Sequence, residues 1–150
     1  VSEHKAAHGV ILPQSTFGLA STHQAQGLVE PANKARVLSN LVAAIEKANG
    51  HIDTGILGAK YLLNALLDNG RVDLAYRVAS QKDLPSWGWW LAQGATTLWE
   101  QWNGSESRNH IMFGDISAWF YKALAGINLD PATPAFKHII NCFPHFLIRQ

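Results

Sequence analysis

The chain has 150 residues, 47% hydrophobic and 15% charged, with a formal net charge of +1. That length fits one domain that buries roughly 70% of its unfolded surface, and a charged fraction below the roughly 25% of ordinary soluble domains fits an interior-rich chain or a piece whose partner covers apolar surface. The twelve Lys and Arg are scattered, which excludes a nucleic-acid-binding stripe; the lone Cys142 excludes an internal disulfide; and no stretch reaches the roughly 18 apolar residues of a membrane helix.

Residues 1–15 carry no periodic pattern, and their apolar run, Val10-Ile11-Leu12, is too short for the core of a secretory leader. A first residue other than Met fits a processed product or an excised piece, and the compartment is not legible. Residues 16–28 read as a helix weakened by Gly18 and Gly27. From Asn33 to Asn49, Val37, Leu38, Leu41, Val42, Ile45 and Ala48 recur at helical spacing, with Pro31 ahead and Gly50 as the stop. A further helix is expected from Leu57 to Asp68, with Leu57, Tyr61, Leu62, Ala65 and Leu66 on its apolar face and Asn69-Gly70 at its end. Another follows from Val72 to Gln81, with Asp73 at the positive end of its dipole.

Ser86 to Ala92 and Phe113 to Leu124 complete the helical set. The latter uses Ile116, Trp119, Phe120 and Ala123 and stops at Gly126. The sole strand candidate is HIINCFPHFLI, which Pro144 makes an edge strand or an extended tail. Short links pair the helices as hairpins: 16–48, 57–81, and 86–92 with 113–124. The third pair is joined by a long segment, and long segments in compact helical proteins often carry function.

That segment holds Glu100 between Trp99 and Trp102, followed by Asn103-Gly104, read as the break that ends a helix. Of the eleven carboxylates, Glu46, Asp68, Asp73, Asp115 and Asp130 have ordinary capping, turn or surface readings. Glu100 differs because Leu98, Trp99 and Trp102 flank it, and desolvation by aromatics tunes acids and bases. Five of the six tryptophans fall within 87–102: Trp87, Trp89, Trp90, Trp99 and Trp102. Aromatic rings stack on the flat C–H faces of sugars, and Arg108, Asn109 and His110 are the polar partners that hydroxyls need. The remaining histidines do not cluster with Cys, Asp or Glu at ligand spacing, so neither a zinc site nor another metal site is expected. No GxSxG, P-loop or GxGxxG pattern is present, and no cofactor is expected.

The run from His51 to Gly104, followed by Asn109-His110, resembles the bacterial α-L-rhamnosidases of glycoside hydrolase family 78. The shared residues are Thr54-Gly55, Leu57-Gly58, Tyr61-Leu62-Leu63, Asn69-Gly70-Arg71, Asp73-Leu74-Ala75-Tyr76, Pro85-Ser86-Trp87-Gly88, Gly94-Ala95-Thr96-Thr97, Trp99-Glu100 and Ala125-Gly126-Ile127. Pro85–Trp102 is the specific part, and the likeness spans about residues 16–142. The resemblance implies an all-α fold: helical hairpins forming about half of an (α/α)6 six-hairpin toroid, with a short extended C-terminal tail. Residues 16–128 would be the partial catalytic domain, and 129–150 the exit towards a β-sandwich. It implies inversion at the anomeric carbon, with Glu100 as the general base and His110 and Trp87 at the sugar. Trp99, Trp102 and Asn109 join them as substrate-binding candidates.

The family's general acid lies upstream of the matched region, and no residue before the match resembles it, Glu3 being the only carboxylate there. The chain alone is therefore expected to be inactive, with rhamnose-containing glycosides as ligands and no nucleic acid or membrane partner. A half toroid leaves raw edges, so self-association or a partner half is expected. A shorter span between Glu100 and His110 than in many relatives bears on the placement of His110. The alternative is a non-catalytic helical module that binds carbohydrate or protein.

Overall fold

The computed structural model describes residues 27–133 and 135–142, so the expected helix over 16–28 and the tail beyond Cys142 lie almost wholly outside the described residues. A 3₁₀ turn, Pro31–Asn33, leads into α1, Lys34–Lys47. Leu41 and Ile45, four apart, are the residues of α1 that become fully buried. The helix ends where Gly50 adopts φ +79 and its N–H donates to the Ile45 carbonyl. A Cβ at Gly50 would stand 2.8 Å from the Arg77 guanidinium, which itself pairs with Glu46.

Helix α2, Ile56–Asp68, is the central element. It packs against α3, Val72–Ala79, on one side and α5, Asp115–Trp119, on another. Two-sided packing explains its burial pattern. Gly58, Ala59, Leu62, Leu63, Ala65 and Leu66 are all inside, whereas Leu57, expected on the apolar face, is half exposed. The small residues let neighbouring backbones approach. In the link to α3, Gly70 has φ +71 and the Arg71 N–H closes on the Leu66 carbonyl at 2.8 Å. Arg71 then grips Asp73 through two hydrogen bonds of 3.1 and 3.0 Å, which hold the Asp73 carboxyl below its usual range.

Helix α4, Trp87–Ala92, is capped by the fully buried Ser86, whose Oγ accepts from the Trp89 N–H at 2.9 Å. Gly88 lies so close to the segment after α3 that a Cβ would stand 2.3 Å from the Gln81 carbonyl oxygen. Backbone cannot yield as a flexible side chain does, so Gly88→Ala should cost about 3 kcal/mol or more, at or above the top of the roughly 1–3 kcal/mol of ordinary overpacking. Urea denaturation of the two chains measures this, and equal midpoints would show that the approach is not close in solution.

The last helical stretch is split. A 3₁₀ turn, Ile111–Phe113, precedes α5, and a π-helical turn, Phe120–Leu124, follows it. Trp119 is fully buried, and its indole N–H donates to the Leu63 carbonyl at 3.1 Å. The expected third hairpin is thereby modified: α5 leans on α2, and α4 reaches this region through the Trp87 indole, which donates to the Phe113 carbonyl at 3.1 Å.

The strand candidate is present as β2, Ile139–Asn141, antiparallel to β1, Ile127–Leu129, with Ile127 opposite Asn141. Three residues give no readable alternation, which is why β1 escaped the sequence reading. Among the described residues, no helix is long and apolar enough to cross a membrane.

Candidate active site

The five tryptophans of 87–102 gather with Phe113 into one aromatic body. Trp90 stacks on Trp102 with centroids 4.8 Å apart, Trp87 meets Trp102 edge-on at 5.1 Å, and Phe113 lies 4.2 Å from Trp102. Each such pair adds about 0.5–1.5 kcal/mol beyond burial. The indole N–H groups make the body directional: Trp90 donates to the Trp102 carbonyl and Trp102 to the Thr54 carbonyl, both at 2.8 Å. Helix α4 and the 99–102 stretch are thus fixed to each other and to the distant 52–54 stretch.

On this base the chain folds back on itself. Helix α4 already ends at Ala92, and Gly94 at φ +79 turns the chain away. The expected helix end at Asn103-Gly104 is therefore corrected: no helix runs through 98–102. Asn103-Gly104 is instead the tip of a turn, with the Gly104 N–H on the Gln101 carbonyl at 3.0 Å and Gly104 at φ +70. The Asn103 side chain accepts from the Ser105 N–H at 3.1 Å, an arrangement asparagine favours in turns. The two arms run antiparallel. The Glu100 N–H donates to the Ser107 carbonyl at 2.8 Å, the His110 N–H donates to the Leu98 carbonyl at 2.9 Å, and the Thr97 hydroxyl donates to the Arg108 carbonyl.

This closure places Glu100 and His110 on adjoining arms of one loop. Both are partly exposed and Asn109 is exposed, so all three are accessible to a solute. His110 Nδ1 accepts from the Met112 N–H at 3.4 Å, so in the neutral ring the hydrogen belongs on Nε2, which makes Nε2 the donor. Trp87 and Trp99, expected to face a sugar, are only 8% and 4% exposed. The Arg108 guanidinium lies 4.5 Å over the Trp99 ring, and Trp90 and Trp89 flank it at 5.8 and 6.0 Å, so Trp99 is packed rather than presented. Trp102 is partly buried. Among the described residues, no group of three or more His, Cys, Asp or Glu is placed to hold a metal ion.

An open cleft of about 550 Å³ is lined by Trp87, Leu91, Thr97, Leu98, Ile116 and Phe120 among others. Neither Glu100, Asn109 nor His110 lines it. The sequence reading also missed the seating of Arg108 on Trp99. Its one local signal was Gly104 between them, where a Cβ would stand 2.6 Å from the Trp99 ring.

The model of the bacterial alpha-L-rhamnosidase 6 hairpin glycosidase domain matches residues 16–124. The chain belongs to this family. It is 35% identical over 124 residues to an alpha-L-rhamnosidase of Streptomyces avermitilis, covering 75% of this chain and 12% of that protein. The fold superposes with a TM-score of 0.79 on the S. avermitilis alpha-L-rhamnosidase solved in complex with L-rhamnose, at 30% identity, over 93% of this chain and 14% of the other. An alpha-L-rhamnosidase from Dictyoglumus thermophilum gives a TM-score of 0.71 at 36% identity, over 77% of this chain and 14% of the other. The hairpins are thus part of a six-hairpin glycosidase toroid, and the chain spans about an eighth of the length of the curated rhamnosidases it matches.

Proposed function

We propose that this segment carries the water-activating side of an inverting α-L-rhamnosidase, with Glu100 as general base, acting on terminal α-L-rhamnose of rhamnose-containing glycosides. The observation that carries the reading is the closed 97–110 loop, which carries an accessible carboxylate and an accessible histidine on its two paired arms in a chain of this family. In the reaction, Glu100 takes a proton from water as the water oxygen bonds to the anomeric carbon. The glycosidic C–O bond breaks on the opposite face, and a carboxylic acid protonates the departing oxygen. That acid is assigned to a part of the toroid that these 150 residues do not match. Asn109 and the His110 Nε2–H serve as hydrogen-bonding partners for sugar hydroxyls. Trp102 is the aromatic wall of this reading, braced directly by Trp87 and by Trp90, on which Trp99 packs in turn. Replacing Glu100 by Gln in the full-length enzyme tests the assignment, since the amide keeps the shape and loses the base.

The cleft between α4 and the 116–120 stretch is the edge where further hairpins, or a second copy of the chain, cover apolar surface. Leu91 is 73% exposed beside it, and Tyr121 is 64% exposed close to its Phe120 wall. The isolated 150-residue chain is expected to self-associate with rising concentration, which light scattering reads; a monomer throughout would oppose this use of the edge.

A further inference from the structure

We propose that Arg108 is a positioning residue for Glu100, acting through Trp99; this rests on Glu100 being the base. Arg108 is held at three points. Its guanidinium covers Trp99 at 4.5 Å, its Nε donates to the Gly104 carbonyl at 3.4 Å, and its own carbonyl accepts from the Thr97 hydroxyl. Trp99 immediately precedes Glu100, is 4% exposed, and has Gly104 pressed against its ring, with no room there for a Cβ. The turn therefore closes on the Trp99 ring as on a peg, with Arg108 on the ring face and Gly104 against it. The two arms that this fixes are those on which Glu100 and His110 sit. Arg108 was a candidate sugar contact from sequence. With its guanidinium spent on the ring and the turn carbonyl, it instead sets where the neighbouring carboxylate stands. A flat, delocalised cation suits that task, whereas a lysine ammonium supplies the charge without the plane.

The test is a double-mutant cycle in the full-length enzyme with an aryl α-L-rhamnoside. Arg108→Ala should lower kcat roughly ten- to a hundredfold, the cost of a misplaced catalytic group, with KM within about twofold. Arg108→Lys should restore only part. In a Glu100→Ala background, Arg108→Ala should have no further effect, because the group it positions is gone. An equal loss in both backgrounds, or an unchanged kcat, would overturn the proposal while leaving Glu100 as base. A Glu100→Ala enzyme with undiminished rate removes the base reading, and this one with it. Should Arg108→Ala fail to fold, Arg108→Lys reads the same cycle.

Discussion

Glu100→Gln in the full-length enzyme is expected to lower kcat by roughly 10²–10⁴-fold, the usual contribution of one general acid–base group. That range corresponds to about 2.7–5.4 kcal/mol of transition-state stabilisation at about 1.36 kcal/mol per decade. The substitution should leave the fold intact. The structural duty of this position is borne by its backbone, whose N–H bonds to Ser107, and the side chain is partly exposed rather than part of the aromatic body. Affinity for L-rhamnose should therefore change little, because a base that touches the attacking water contributes mainly in the transition state. Steady-state kinetics and equilibrium titration with L-rhamnose separate the two quantities. A variant that retains most of its kcat takes the role away from Glu100.

The second large effect concerns the 150-residue chain by itself. It is expected to release no measurable rhamnose from an aryl rhamnoside above the uncatalysed rate. Inversion needs two carboxyl groups on opposite faces of the sugar, roughly 6.5–9.5 Å apart. Among the described residues, five of the carboxylates outside Glu100 are engaged with partners of their own. Asp73 is gripped by Arg71, Asp83 by His51, Asp130 by His138, Glu46 by Arg77, and Asp115 accepts from Asn64. Sustained hydrolysis by the purified chain, abolished by Glu100→Gln, would show that an acid does lie within these residues.

Much of the helical frame was legible because it depends on local patterning. Leu41 and Ile45 at helical spacing and Gly50 and Gly70 as stops all act within a few residues of their place in the chain. What escaped depends on partners distant in sequence. The face of α2 was misjudged at Leu57 because α2 packs on two sides, which no periodicity within α2 reveals. Strand β1 depends on residues 139–141 for its existence. In the site, Glu100, Asn109 and His110 were identifiable as types, but the helix expected around Glu100 was replaced by a folded-back loop. Aromatic richness at 87–102 was read as stacking surface, yet the ring of Trp87 packs on Trp102 and Phe113 and that of Trp99 on Trp89 and Trp90. Indole N–H donors reaching carbonyls as distant as Thr54 decide that outcome, and a sequence does not display them.

The central claim is that Glu100 activates the attacking water, and the product formed by a Glu100→Ala full-length enzyme in the presence of azide tests it most directly. Azide needs no deprotonation, so it should restore turnover lost with the carboxylate. Attack from the face opposite the leaving group predicts β-L-rhamnosyl azide as the product identified by proton NMR. An α-linked azide, or a Glu100→Ala enzyme as active as the parent and indifferent to azide, would contradict the account.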